Sequence, residues 1–445
     1  MSSLGELYRK WRGGGRPRHR NFQLLFYLSM VALVIQTALL FLALFEPPLP
    51  YKVSEAAAEK LDSPEFAHVL SALSRGVLRH YDSIEVLTNG ESYYPNELDA
   101  IRGARHSINL EAYIFKDGKV AREFVRTLVE RAKAGVKVNL LVDALGSPTM
   151  TSEKLKPLTD AGGRAAWYNS VRWYTWPNIN NRTHRELVII DGTIGFIGGA
   201  GWADHWLHRE KDDPRWRDTM VRVSGEIVTG LQSAFAENWL EATGEILTGR
   251  EYFPMVRPAG SDKALIVASA PSSGRSTEAR VLFQTLLASA QRRIWITTPY
   301  FLPDAGIRKE LIRAIKERHV DVQILVPGHR SDHAMTRNSS RALYGELLQN
   351  GAKIYEYQPA MIHAKTLVVD SLWSVAGSTN MDSRSFNIND EINLAVADTT
   401  VAARLEQDFR NDVSQSHQIT YDQWKRRPMI ERAQEWFGSL YQRQQ

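Results

Sequence analysis

Segments of this chain repeat one another at an offset of about 180 residues, the scale of one domain, and that repeat restricts the possible folds more than any other feature. Residues 108–115 correspond to 294–301, and the apolar run 136–142 corresponds to 320–326. A third pair follows. His184, Glu186 and Asp191, then Gly198-Gly199-Ala200-Gly201, parallel His363, Lys365 and Asp370, then Gly377-Ser378-Thr379-Asn380. A chain of 445 residues, 43% of them hydrophobic, can bury a core for each of two such halves.

Helix-like and strand-like periodicities alternate within each half. The first half is expected to hold a helix over 98–104, a strand over 108–115, a helix over 120–134, a strand over 136–142 and a motif strand over 184–190. The second repeats this with helices over 280–289 and 306–318. The fold class expected is α/β, with an α/β/α sandwich in each half. Pro254, Pro258 and Gly260 mark a linker over 249–262. Ahead of the halves, apolar Leu61, Phe66, Val69, Leu70, Leu73 and Val77 stand at helical spacing and predict a helix over 56–81.

On a strand, His363 and Lys365 share a face, so an imidazole and an ammonium converge on one small volume. That combination suits a phosphate. The imidazole can attack phosphorus or deliver a proton, while Lys365, Ser378 and Asn380 supply charge and hydrogen bonds to the developing oxyanion. The chain has no cysteine, and its twelve histidines offer no metal-binding pattern, so neither a metal nor another cofactor is expected.

Two halves, each with His-x-(Lys)-x4-Asp followed by a Gly-Ser-x-Asn-like turn, resemble the phospholipase D superfamily over roughly 92–424. The runs 297–304, 380–386 and 424–428 are similar to bacterial cardiolipin synthases. The resemblance implies two halves sharing one active site, with His184 and His363 as nucleophile and general acid in an order left open. It also implies that Asp218 and Glu391, at equivalent repeat positions, orient the imidazoles. Asp191 and Asp370 follow apolar strand residues and are expected inside the protein as structural acceptors.

The first motif departs from the pattern. Glu186 stands where the family has lysine, Gly199 where it has serine, and Gly201 where it has asparagine. A carboxylate ~4 Å from a phosphate oxygen is repelled by about 4 kcal/mol at an effective dielectric of 20. Arg185 cannot replace the lysine, because strand alternation turns it to the opposite face. Glu186 is therefore either protonated or bound to something other than phosphate, an acceptor alcohol or His184 itself. Three outcomes stay open: phosphate held mainly by the intact half, activity on a different lipid or headgroup, or a decayed first half that only binds phospholipid.

Residues 22–45 are almost uninterruptedly apolar and long enough to cross a hydrocarbon core. Arg9, Lys10, Arg12, Arg16, Arg18 and Arg20 precede them, which keeps the N-terminus cytoplasmic and sends the body across the bacterial plasma membrane to its outer or periplasmic side. The apolar run exceeds a signal-peptide core and lacks a small-x-small site, so an uncleaved anchor is expected. The net charge of +5 suits an anionic partner without choosing one. Trp167, Tyr168, Trp173, Tyr174 and Trp176, with Arg172 and Arg182, either face lipid or pack in the core. Met429, Ile430, Ala433, Trp436, Phe437, Leu440 and Tyr441 form a helical stripe for docking on the body or on a membrane surface.

The expected organisation is a basic segment 1–21, a transmembrane helix 22–45, a linker and helix 46–91, halves 92–250 and 263–425, and an amphipathic helix 426–445. The resemblance implies a phosphatidyltransferase condensing two phosphatidylglycerols to cardiolipin and glycerol through a phosphatidyl-histidine. Its partners are then phospholipid and membrane, with no nucleic acid. Transfer to another phospholipid or headgroup, phosphodiesterase activity on nucleic acid, and non-catalytic phospholipid binding are the alternatives, and the oligomeric state stays open.

Overall fold

The structure is a computed structural model that describes residues 15–45, 53, 60–170, 180–207, 214–270, 277–432 and 435. It divides into two units, residues 1–50 and 51–445. Among its described residues the first contains one helix, Gly15–Phe45, whose exposed stretch Phe22–Leu39 is long and apolar enough to cross a membrane.

The second unit contains sixteen strands among its described residues: β1 (Val77–His80), β2 (Ser83–Thr88), β3 (Ser107–Ala112), β4 (Lys137–Asp143), β5 (Arg164–Tyr168), β6 (Leu187–Ile190), β7 (Ile194–Gly198), β8 (Thr219–Ser224), β9 (Lys263–Ser269), β10 (Arg293–Thr297), β11 (Asp321–Pro327), β12 (Lys353–Tyr357), β13 (Thr366–Val369), β14 (Trp373–Gly377), β15 (Glu391–Ala397) and β16 (Ser416–Ile419). One sheet has the order β2-β8-β7-β6-β3-β4-β5. The other runs β1-β9-β15-β14-β13-β10-β11-β12-β16. Without its edge strands β1 and β16, the second sheet repeats the first strand for strand. The register repeats too: Ile108 faces Val138 and Ile190, and Ile294 faces Val322 and Val369.

Parallel neighbours need a crossover, and helices Lys119–Lys133 and Ala305–Arg318 supply it between β3 and β4 and between β10 and β11. Asp304 caps the second of these, accepting from the Gly306 and Ile307 N–H groups. On the outer face of the first sheet, helices Gly90–Gly103 and Lys119–Lys133 bury Tyr93, Leu98, Phe124 and Leu128. The inner faces of the two sheets meet each other through Leu187, Ile189 and Ile197 on one side and Val368, Ala376 and Leu394 on the other. Helices Val228–Thr243 and Thr399–Val413 contribute Leu231, Phe235, Val401 and Leu405 to the same core. The loops at one end of both sheets thereby come together.

Several elements differ from the sequence expectation. The helix expected over 56–81 spans Pro64–Ser74, because Arg75 turns left-handed at φ 54° and Val77–His80 pairs with β9. Leu73 and Val77 are exposed as a result. The motif strands begin late, at Leu187 and Thr366, so His184, His363 and Lys365 precede them. Thr183 and Ile362 bridge instead to Asp390 and Arg217 of the opposite half, which takes the backbone around both histidines out of the in-sheet ladder.

Of the aromatic segment, Tyr168 is buried and donates to Asn181 and Glu241, and Arg182 is buried against Asp143; Arg172, Trp173, Tyr174 and Trp176 lie outside the described residues. In the C-terminal stripe Met429 and Ile430 are exposed, while Arg341 pairs with Glu431 and Glu435; Ala433, Trp436, Phe437, Leu440 and Tyr441 lie outside the description.

Candidate active site

His184 and His363 line one cavity of about 430 Å³ where the two halves meet. The backbone holds them in the same way. The His184 N–H donates to the Asp390 carbonyl at 2.9 Å, and the His363 N–H donates to the Arg217 carbonyl at 2.7 Å. Each acceptor immediately precedes an acid, so the two crossings deliver Glu391 to His184 and Asp218 to His363. His184 Nδ1 lies 3.0 Å from Glu391 Oε2, and His363 Nδ1 lies 2.8 Å from Asp218 Oδ2. Each half places an acid against the histidine of the other.

Both acids are fully buried, so neither is a solvated surface group. Asp218 also accepts from the Trp206 indole at 3.0 Å and from the Thr219 N–H at 2.8 Å. Burial by itself would raise its carboxyl, but the hydrogen bond and charge of His363, with Lys365 nearby, bring it below the usual range. Ser378, expected to face phosphate, instead donates its hydroxyl to Glu391 and accepts the Ile392 N–H at 3.0 Å. It thus bonds the acid that pairs with His184. Asn380 does line the cavity, and its Oδ1 is buried without a partner.

Lys365 is buried, and its Nζ lies 2.9 and 3.1 Å from the two ring nitrogens of His363 and 2.8 Å from the His363 carbonyl. It stands in space left by Gly199, where a Cβ would come within 2.9 Å of Nζ. Burial lowers the lysine from its ordinary value against the pull of Asp218, Glu391 and Glu186. Burial and the Lys365 charge also lower His363, outweighing Asp218.

Glu186 is buried too. Its Oε1 accepts the Ile114 N–H at 3.1 Å, and its Oε2 has no partner. Burial raises this carboxyl well above the carboxylate range, against the nearby Lys365 charge, which favours the protonated form and weakens the repulsion expected between it and a phosphate. A Cβ on residue 201 would lie 3.0 Å from Oε1, so Gly201 and Glu186 share one space. Arg185 points away as expected, donating to the Ala234 carbonyl and to Glu237.

Asp191 and Asp370 stand at the far ends of the motif strands, away from the cavity. Each accepts three successive backbone N–H groups, from Arg105, His106 and Ser107 and from Gln291, Arg292 and Arg293. They are half-buried at strand ends rather than inside the core, since each follows its last strand residue and bends left-handed, at φ 51° and 55°.

Sequence reasoning missed much of the cavity wall: Tyr113, Trp216, Tyr300, Asp332, Asp382 and Asn389. Tyr300 donates to Asp332 at 2.7 Å, and Asp382 caps the short helix Ser383–Asn387. Burial pushes Asp382 up to about 6. Tyr300 and Asp382 fall inside the runs singled out by resemblance, so a signal for them existed. Trp216 and Asp332 carried none.

A family model described as cardiolipin synthase, PLD-like domain matches residues 98–239 and 283–413. A cardiolipin synthase 2 of Bacillus anthracis is 36% identical over 349 residues, covering 78% of this chain and 67% of that one. A cardiolipin synthase of Geobacillus sp. (strain WCH70) is 37% identical over 348 residues, covering 77% and 68%. The crystal structure of phosphatidylserine synthase from Haemophilus influenzae Rd KW20 superposes with a TM-score of 0.66 at 14% identity, covering 86% of this chain and all of that one, a likeness of fold. The chain belongs to the cardiolipin synthase family of phospholipase D-like proteins.

Proposed function

We propose that the protein is a membrane-anchored phosphatidyltransferase that condenses two phosphatidylglycerol molecules into cardiolipin and glycerol. One observation carries this reading: two histidines from different halves face one cavity, each held through Nδ1 by a buried acid. Nδ1 in that role leaves Nε2 for chemistry, with one ring free to attack phosphorus and the other to move a proton. One Nε2 forms the N–P bond while the other ring gives its proton to the departing glycerol oxygen. The second ring, now neutral, takes the proton of the acceptor hydroxyl, whose oxygen displaces the histidine from phosphorus. Asn380, and Lys365 after it leaves the imidazole, hold the phosphoryl oxygens. Asp191 and Asp370 keep the halves in shape without touching substrate.

The names of the relatives support cardiolipin as the product, and phosphatidylglycerol is the substrate that the family resemblance implies. The apolar helix supports a membrane location. The basic residues ahead of it favour a cytoplasmic N-terminus with residues 92–250 and 263–425 working as the two halves on the far side.

The test is detergent-solubilised full-length protein offered labelled phosphatidylglycerol or single-stranded DNA in parallel. Cardiolipin and glycerol are expected from the first and no cleavage of the second. His363→Ala should abolish the product. DNA cleavage without cardiolipin would make the protein a nuclease, and lipid binding without turnover would make it a binding protein.

A further inference from the structure

His184 and His363 are equivalent by repeat and unequal by surroundings. His363 faces Asp218 at 2.8 Å, the Lys365 ammonium against both ring nitrogens, and the rings of Trp206, Trp216 and Tyr300. Asp332 and His205 are its more distant titratable neighbours. His184 faces Glu391 at 3.0 Å, the Tyr113 ring, and Asp382 at longer range. Among the described residues no lysine or arginine hydrogen-bonds its ring. The position that carries Lys365 beside His363 carries Glu186 beside His184, and Glu186 is turned onto the Ile114 N–H.

We propose that this asymmetry assigns the roles: His363 is the nucleophile, His184 is the general acid, and Glu186 is a positioning residue that keeps the two unlike. An ammonium against an imidazole opposes a second positive charge there, so His363 stays neutral with an Nε2 lone pair. Glu186, a carboxyl turned onto the Ile114 N–H, brings no positive charge and adds no such opposition. His184, with a carboxylate on Nδ1, no cation against its ring among the described residues and a more exposed side chain, is the ring placed to deliver the proton to the leaving oxygen. The proposal rests on the phosphatidyl-transfer reading. In the first step His363 Nε2 bonds to phosphorus, the P–O bond to glycerol breaks, and the His184 Nε2 proton moves to that oxygen. In the second, His184 removes the acceptor hydroxyl proton, the new O–P bond forms and the P–N bond breaks, restoring His363. Lys365 follows the charge from the imidazole to the phosphoryl oxygens, and Gly199 leaves room for it.

Leaving-group dependence tests the assignment. A phosphatidyl ester of p-nitrophenol needs no acid to depart, whereas glycerol does. In wild type, rapid quench with labelled p-nitrophenyl ester and peptide mapping should find acid-labile label on His363; label on His184 overturns the proposal whatever the acceptor lipid proves to be. His184→Ala should release one equivalent of p-nitrophenolate per site while losing roughly 10²–10⁴-fold on phosphatidylglycerol, and His363→Ala should show no burst. A burst in His363→Ala, or its absence in His184→Ala, refutes the roles. Glu186→Lys should slow phosphatidylglycerol turnover far more than p-nitrophenyl release and move the pH optimum down by about one unit, while Glu186→Gln leaves the optimum in place. Equal effects of both variants on both substrates would make Glu186 merely structural and overturn its part. Failure to make cardiolipin with label on His363 would refute the lipid reading alone.

Discussion

Asp218 stands at the head of a strand in the first sheet and His363 just ahead of one in the second, yet their side chains share a 2.8 Å hydrogen bond. The symmetric pair is Glu391 and His184. Asp218→Asn and Glu391→Gln should each cut turnover by about 10²–10⁴, because a carboxamide no longer favours the tautomer with a free Nε2. Both side chains are buried, so a melting-temperature drop should accompany the loss without unfolding at ambient temperature. Wild-type rates in either variant would remove the orienting role.

Asp370→Ala should act on stability alone. Three backbone N–H groups lose their acceptor and alanine must adopt φ 55°, a loss on the order of 3 kcal/mol. Asn at this position tolerates the left-handed backbone and should restore part of it. Denaturant midpoints and kcat per folded molecule, measured on the same preparations, should separate; a fall in kcat with an unchanged midpoint would assign Asp370 to the chemistry.

Glu97 is buried against the Trp202 indole, and burial pushes it up to about 8; burial likewise raises Glu111 to about 7. In the unfolded chain both ionise near pH 4.5. Between that value and the folded one the unfolded state binds fewer protons, so this contribution is full at low pH and declines as pH rises toward 7 and 8. Glu97→Gln, which cannot ionise, should therefore gain on wild type in melting temperature from pH 5 to 8.5. A constant difference across that range would show that Glu97 is not held neutral.

Chelation should leave transfer intact. Both steps use imidazole, lysine and amide groups, so dialysis against EDTA should not change the rate on phosphatidylglycerol. Loss of activity restored by one divalent cation would replace this chemistry with metal-assisted transfer.

The duplication, the strand and helix segments and the two histidines were legible in the sequence because repeats and periodicity are local properties of a chain. So was the apolar helix near the N-terminus, whose length and apolarity are measured along one segment. The partner of each acid was not. Asp218 and Glu391 stood out as the acids following each motif, but their crossing to the opposite histidine depends on backbone bridges from Thr183 to Asp390 and from Arg217 to Ile362, pairs far apart in sequence. The same bridges draw the histidines off the motif strands, which strand alternation alone could not foresee.

Glu186 divides most clearly between the two kinds of information. Its departure from lysine is visible in one residue, and so is the choice between a repelling carboxylate and a protonated one. Which of these holds is a matter of solvation. Only packing places the carboxyl out of water beside Ile114 and Gly201, where a low dielectric favours the uncharged form. Ser378 shows the reverse case: its position in the motif was plain, while the direction of its hydroxyl, toward Glu391 and not the cavity, was decided by where the second sheet brings β15 alongside β14.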